Sequence, residues 1–518
     1  MKTAAKIALI AWLWIIVINP GTYVGLDTSL RLQMAHAWWT GTEEVSIPPN
    51  DAPKVRGDIR FGVSGEGDER YISFDVGQSL LMLPGDWVGT QLHRWFPALA
   101  LEDLRHLAVQ LLVFVPLNVA TVVSGFWLLR LFGFEERIAA LTSLTWLLGT
   151  TVFHYAQIPQ QNNQLLLFVT IGYAAALAFI RRGRPQLALG SGLALGGAFL
   201  IRFTSVFHVL TVLLFLVGCV AYQSRDRLKV FKAVRLWIAG FMPLFLLSQT
   251  INYVRYGSFW VTGKIVEKQQ QLSDPMWSGL PQLPPGYPLL NPPHVGILDT
   301  LFSPARSIFI YDPFLIPCLI LGIVCWKKFS PYMQWYLICG IFNLGLHMAL
   351  TSRLIWHGGT AWGSRFHVTS VHLLLIPLLA FFIQVLLSTQ GWTRWLLRGI
   401  VAVAIAVQIT SVTMEPNLEI YQTKVGMPGS RLEFRLGQRL TNIACLANDF
   451  SERCIDRNPN KRRYVEEFNN LFFLPFNFHR EAAGRPALER VSIALFVAWG
   501  LALVMAISTT TRFVFGPG

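Results

Sequence analysis

Asp27 stands just past the first apolar segment, in GLDTSLRLQMAHAWW, and Arg31 follows four residues later. On a helix that spacing is one turn, so the carboxylate and the guanidinium share a side. A carboxylate at such a place either caps the helix or takes a proton from an attacking group, a role worth about 10²–10⁴-fold in rate. Arg202 in FLIRFTSVF, Lys264 in WVTGK, Arg306 in LFSPARSIF and Arg365 in WHGGTAWGSRF each sit where an apolar segment meets a polar one. Singly, each reads equally well as an interface cation that snorkels outward. Together they make an anion-binding set, because guanidinium forks match phosphate oxygens and an ammonium adds a point charge. Asp68, Arg70, Asp75 and Gln78 in GDERYISFDVGQSL, with Trp356 and Trp362 flanking Gly358 and Gly359, supply hydrogen-bonding groups and ring faces for an acceptor or a sugar. The plainer alternative for these residues is an exposed charged loop and an interfacial aromatic belt.

Composition dictates what must hold these groups. The chain has 518 residues, 53% hydrophobic and 14% charged, where soluble domains carry about 25% charged residues. Its mean hydropathy is +0.45. An all-α polytopic membrane protein is expected, because hydrocarbon obliges the backbone to satisfy its own hydrogen bonds. At roughly 20 apolar residues per span, about twelve spans fit. They fall near 6–19, 106–131, 138–155, 164–180, 186–201, 205–222, 236–252, 307–326, 332–351, 367–388, 399–413 and 491–508. No small-residue cleavage site follows the first of them, which reads as an uncleaved span.

Short-loop Lys and Arg place both termini in the cytoplasm. The long loops 20–105, 253–306 and 414–490 then lie outside. This divides the chain into a transmembrane core with its outer loops (1–413), an outer loop with a surface helix (414–490), and a last span with its tail (491–518). Leu30, Met34, Ala37 and Trp38 form an apolar stripe on a predicted surface helix over 28–39. A second surface helix is predicted over 77–93. A third is predicted from Leu432, Leu436, Leu440 and Ile443. The Pro-rich LPQLPPGYPLLNPPH suits a lid or wall, and Gly192 and Gly196 suit close helix packing.

Several chemistries are excluded. There is no Walker loop, GxGxxG or GxSxG, and no HExxH-type histidine pair. A protein-held transition metal therefore has no ligand set, whereas a divalent ion (Mg or Mn) bridging a phosphate to Asp27 stays open. The net charge of +14 is spread over loop ends, as topology signals and anionic-lipid contacts and not as a nucleic-acid surface. Four of the six cysteines lie in apolar spans, and Cys445 and Cys454 sit nine apart in an outer loop that would permit a disulfide.

LDTSLRLQMAHAWWTG, GDERYISFDVGQSLLMLP, IRFTS, NYVRYGSFWVTGK, LFSPARSIFIYDPFL and WHGGTAWGSRF, taken in order, resemble bacterial integral-membrane glycosyltransferases of the GT-C class. Within that class the likeness is to protein-mannosyltransferase-like and arabinosyl- or aminoarabinosyl-transferase-like members. The resemblance implies a multi-pass protein of the bacterial inner (plasma) membrane. It also implies a polyprenyl-phosphate-linked sugar donor and transfer on the extracytoplasmic face to a lipid, glycan or protein acceptor. Asp27 matches the acidic residue that such enzymes carry after the first span, and Arg31 falls near a cation for the donor phosphate. Many members have a second acid beside the first, and here Thr28 stands in its place. One base without a nucleophilic partner implies a single displacement with inversion, by analogy with glycoside chemistry. The alternatives are a lipid-linked oligosaccharide ligase or polymerase and, in another class, a lipid flippase or transporter.

Overall fold

The structure, a computed structural model, describes residues 2–23, 25–45, 62–273, 291–353, 361–424, 434–448 and 470–516. Among these residues, eight helices are long and apolar enough to cross a membrane. The protein is an all-α, multi-pass membrane protein. The sheet among the described residues is a two-residue ribbon, β1 (Val63–Ser64) antiparallel to β2 (Arg70–Tyr71), with Val63 opposite Tyr71.

The other four expected spans are present as shorter or broken helices. Lys2–Val17 and Pro185–Ile201 are intact but short. The expected 138–155 span is instead two helices, Glu136–Leu148 and Thr151–Gln157. Gly149 and Thr150 interrupt it, and the Thr150 side chain accepts from the Val152 N–H at 3.4 Å. Asp312 then accepts from the Thr151 N–H at 2.8 Å and from its hydroxyl at 2.9 Å. Asp312 likewise ends Ile308–Tyr311 before Leu315–Val324, so the expected 307–326 span is broken as well.

The chain divides into two compact units, each assembled from separated segments. The first holds Met1–Val24, Phe114–Leu167 and Asn291–Gly518. In it Val368–Ser388 is deeply buried, over 72% of its most apolar stretch, against 11% for Pro486–Phe515. Trp499 donates to the Val17 carbonyl at 2.8 Å and Trp14 to the Thr510 hydroxyl at 2.9 Å, tying the first helix to the last. The Gln157 amide donates to the carbonyls of Ile18, Val412 and Phe472, at 2.9, 2.8 and 3.1 Å, gathering three chain segments at one point. Cys318, Cys325 and Cys339 are buried free thiols. Cys445 is disulfide-bonded; Cys454 lies outside the described residues.

The second unit holds Gly25–Val113 and Phe168–Leu290. In it Pro185–Ile201 lies tight against Arg227–Tyr256: a Cβ on Gly192 would stand 1.9 Å from the Trp237 carbonyl oxygen. Close packing is thus what Gly192 is for. The predicted surface helices run Leu26–Thr40 and Gly77–Trp95. Leu30 and Met34 of the first join Ile72, Phe74, Val76 and Leu200 in one apolar cluster. Asp86 of the second is fully buried and pins it down, accepting from Trp39 at 2.7 Å and Arg105 at 2.5 Å and meeting His36 at 2.9 Å. The third predicted surface helix, in the first unit, is Arg435–Ala447. Most of the Pro-rich segment falls outside the described residues.

Candidate functional site

In the second unit the ring of Phe74 is the plate on which charges gather. The Arg31 guanidinium lies 4.1 Å from its centroid and the Lys264 ammonium 4.3 Å, both within cation–π range. The next residue, Asp75, feels the charges of Arg31, Arg202 and Lys264 and accepts from the Phe203 N–H at 3.1 Å. Burial pushes the Asp75 carboxyl above its ordinary 3.8, and that bond and the three cations work against the shift. Gly77 is what allows this junction. A Cβ there would lie 2.5 Å from the Ile201 nitrogen and the Leu200 carbonyl carbon, so only glycine lets 70–77 press onto the end of Pro185–Ile201 and bring Arg202 to Asp75.

Asp27 sits in the first turn of Leu26–Thr40, and the cap position belongs to Gly25 at φ 98. Asp27 thus stands two residues past the cap position, where a carboxylate is favourable to the helix dipole. Arg31 is 4% exposed and donates to the Asp27 carbonyl oxygen at 3.1 Å. Lys264 opens Gly263–Ser273 and pairs with Glu267 at 2.5 Å, and Glu267 also accepts from the Ser73 hydroxyl. The ammonium is half-exposed, so that pair is weak and an incoming phosphate can compete for it. Chemically the cluster can hold a phosphate beside a carboxylate at the start of a surface helix.

The remaining predicted residues fall as follows. Arg70 is half-buried in β2, Asp68 ends the short turn Glu66–Asp68, and Gln78 is fully buried at the start of Gly77–Trp95. Arg306, Arg365 and Trp362 belong to the first unit. Arg306 is 2% exposed and donates to the Ala361 carbonyl, and Arg365 is half-buried. Trp362 corrects the expectation of a sugar-binding ring: it is 2% exposed, stacked on His154, edge-on to Tyr311 and faced by Arg439, which leaves no ring surface for a sugar. Trp356 lies outside the described residues.

Sequence reasoning missed Glu44. This buried carboxylate pairs with Arg255 and accepts from the Trp38 indole and the Ile72 N–H, each at 2.8 Å. It thereby fastens Leu26–Thr40, the 70–75 segment and the end of Arg227–Tyr256 to one another. Nothing local signals it, since Arg255 is 211 residues away. Phe74 went unnoticed for the same reason. Beside Arg255, burial and then the Glu69 carboxylate push the Tyr71 phenol up to about 12, so it stays protonated and donates to Glu69 at 2.6 Å. As for metals, the described residues hold no group of three or more His, Cys, Asp or Glu arranged to bind one.

No family model matches the sequence, and no curated protein matches it. The chain is similar to the solved structure of ArnT from Cupriavidus metallidurans bound to undecaprenyl phosphate, at 14% identity and a TM-score of 0.42, over 98% of this chain and 77% of that one. A likeness at that level assigns neither a reaction nor a residue.

Proposed function

We propose that the protein is a membrane glycosyltransferase that moves a sugar from a polyprenyl-phosphate donor to an acceptor hydroxyl or amine, on the extracytoplasmic face of a bacterial inner membrane. The observation that carries this reading is the gathering of Arg31, Lys264 and Arg202 around Phe74 and Asp75, beside the helix start that bears Asp27. The resemblance of the motifs to GT-C enzymes points the same way.

In this reading the donor phosphate lies against Arg31, Arg202 and Lys264. The acceptor heteroatom attacks the anomeric carbon while Asp27 takes its proton. The bond from that carbon to the phosphate oxygen breaks, and the charge that grows on the lipid phosphate meets fixed cations. One displacement inverts the anomeric centre. Asp75 supplies the second carboxylate of the cluster, where Thr28 replaces the adjacent acid of many relatives, and its role is to orient the cations. A divalent cation would find no three-ligand set among the described residues.

The test is radiolabel transfer from polyprenyl-phosphate sugars by the purified full chain. Asp27→Asn is expected to lower turnover by about 100-fold or more, the scale of a lost general base, with donor binding retained. Near-normal turnover would remove Asp27 from the mechanism.

A further inference from the structure

A second charged cleft lies in the same unit and takes no part in the transfer just described. It encloses about 510 Å³ between the end of Leu26–Thr40, β2 and the last turns of Arg227–Tyr256. We propose that this cleft binds the primary ammonium of a lipid headgroup. The inference goes beyond the transfer reading and stands without it.

Three features of the wall argue for that ligand. Of its three glutamates, Glu44 is consumed by Arg255, Trp38 and the Ile72 N–H. Glu43 and Glu69 are exposed and have no ion pair among the described residues; Glu69 takes one hydrogen bond, from the Tyr71 hydroxyl, and both carboxylates keep oxygens that can accept N–H donors from a ligand. Trp38, its indole anchored on Glu44, is the fixed aromatic wall of the cleft, whereas the Tyr71 ring already has the Arg255 guanidinium 4.9 Å from its centroid. A fixed ring beside carboxylates suits a cation. Arg70, on the same wall, gives the site both signs of charge, as a zwitterionic headgroup has.

The third feature is depth. Ile251 and Val254 line the cleft from the last two turns of a helix with only 17% of its apolar window buried, and Val254 is 64% exposed. Trp260, four residues past that helix, is 75% exposed, as residues of the interfacial belt are. The cleft thus has a polar half in the outer segment and an apolar half at the membrane boundary. An amphiphile fits it better than a soluble amine does.

The test places the full chain in phosphatidylglycerol nanodiscs with small fractions of phosphatidylethanolamine or phosphatidylcholine, and measures the lipid retained on the purified protein by mass spectrometry. Phosphatidylethanolamine should be enriched over both other lipids. Glu43→Gln with Glu69→Gln should cut that enrichment by about tenfold, the scale of lost charge-assisted hydrogen bonds. Glu43→Lys, a single surface change, should do so as well. Asp27→Asn should leave the enrichment unchanged, which separates failure of this inference from failure of the transfer reading. Equal retention of phosphatidylcholine, or full enrichment in the double variant with a native melting temperature, would overturn the site. Displacement by soluble phosphoethanolamine at equal concentration would overturn the lipid as its source.

Discussion

Asp75 has its proton affinity set by opposing neighbours. Its carboxyl is raised above the ordinary 3.8 by burial, against the pull of Arg31, Arg202 and Lys264. The unfolded chain gives up that proton near 3.8, and the folded chain keeps it to higher pH. The contribution of Asp75 to stability is therefore full below the ordinary value and is lost as pH rises through the raised one. Asp75→Asn still accepts from Phe203 and escapes that loss. Its melting temperature relative to wild type should climb from the acid end of a pH series toward neutrality, and a flat difference would mean that the carboxyl titrates normally. Lys264→Met keeps the bulk over Phe74 and removes the charge. Affinity for polyprenyl phosphate should fall by about tenfold and lose part of its salt dependence, as measured by titration in detergent. The charges drew notice because of where they lie, Arg202 and Lys264 beside apolar boundaries and Arg31 one helical turn from Asp27. It could not disclose Phe74, which looks like any other phenylalanine until Arg31 and Lys264 arrive from separate helices.

Among the elements, the most consequential joint is the buried pair of Glu44 and Arg255. Removing one member of such a pair leaves the other charged and unpaired, at a cost of about 3–5 kcal/mol. Glu44→Gln should therefore melt well below wild type, and adding Arg255→Met should recover most of the loss; thermal unfolding in detergent checks both. Gly77→Ala should lower the melting temperature too, because its Cβ meets backbone and not a movable side chain. The surface helices Leu26–Thr40 and Arg435–Ala447 were legible from apolar stripes, and the Gly192 contact from small-residue spacing. The breaks at Gly149–Thr150 and at Asp312 were not, since the hydropathy there is continuous. What breaks the helices is a polar contact between residues 161 apart. In the same network Trp146 donates to Nδ1 of His372 at 3.2 Å, which leaves the proton on Nε2 for Thr151 at 2.8 Å. Hydropathy is silent about such bonds.

For the whole molecule, hydropathy was the strongest signal. Eight of the twelve expected spans are full-length helices among the described residues, and the other four are shortened or broken. Orientation rests on the positive-inside distribution, and it makes a prediction of its own. Single cysteines placed at Gly67 and near the C-terminus, in a chain stripped of other reactive thiols, should label from opposite sides of a sealed membrane. A membrane-impermeant maleimide on intact cells checks this, and a protected Gly67 cysteine with a labelled C-terminal one would reverse the proposed face of transfer. The long-range design was least legible, because each unit is stitched from distant segments.

The segment from β2 to Asp75 also acts as a ruler. Tyr71 faces the ammonium cleft and Phe74 the cation cluster, three residues and therefore at most about 10 Å apart along the chain. On Leu26–Thr40, Trp38 and Arg31 mark the same two places seven residues apart, again about 10 Å of helix rise. Two elements thus span the same two places, and Glu44 ties them together. A lipid seated in the cleft would present to the cluster only groups that reach about that far from its amine. Chain length, and not headgroup charge alone, becomes a selectable property of the molecules that meet there.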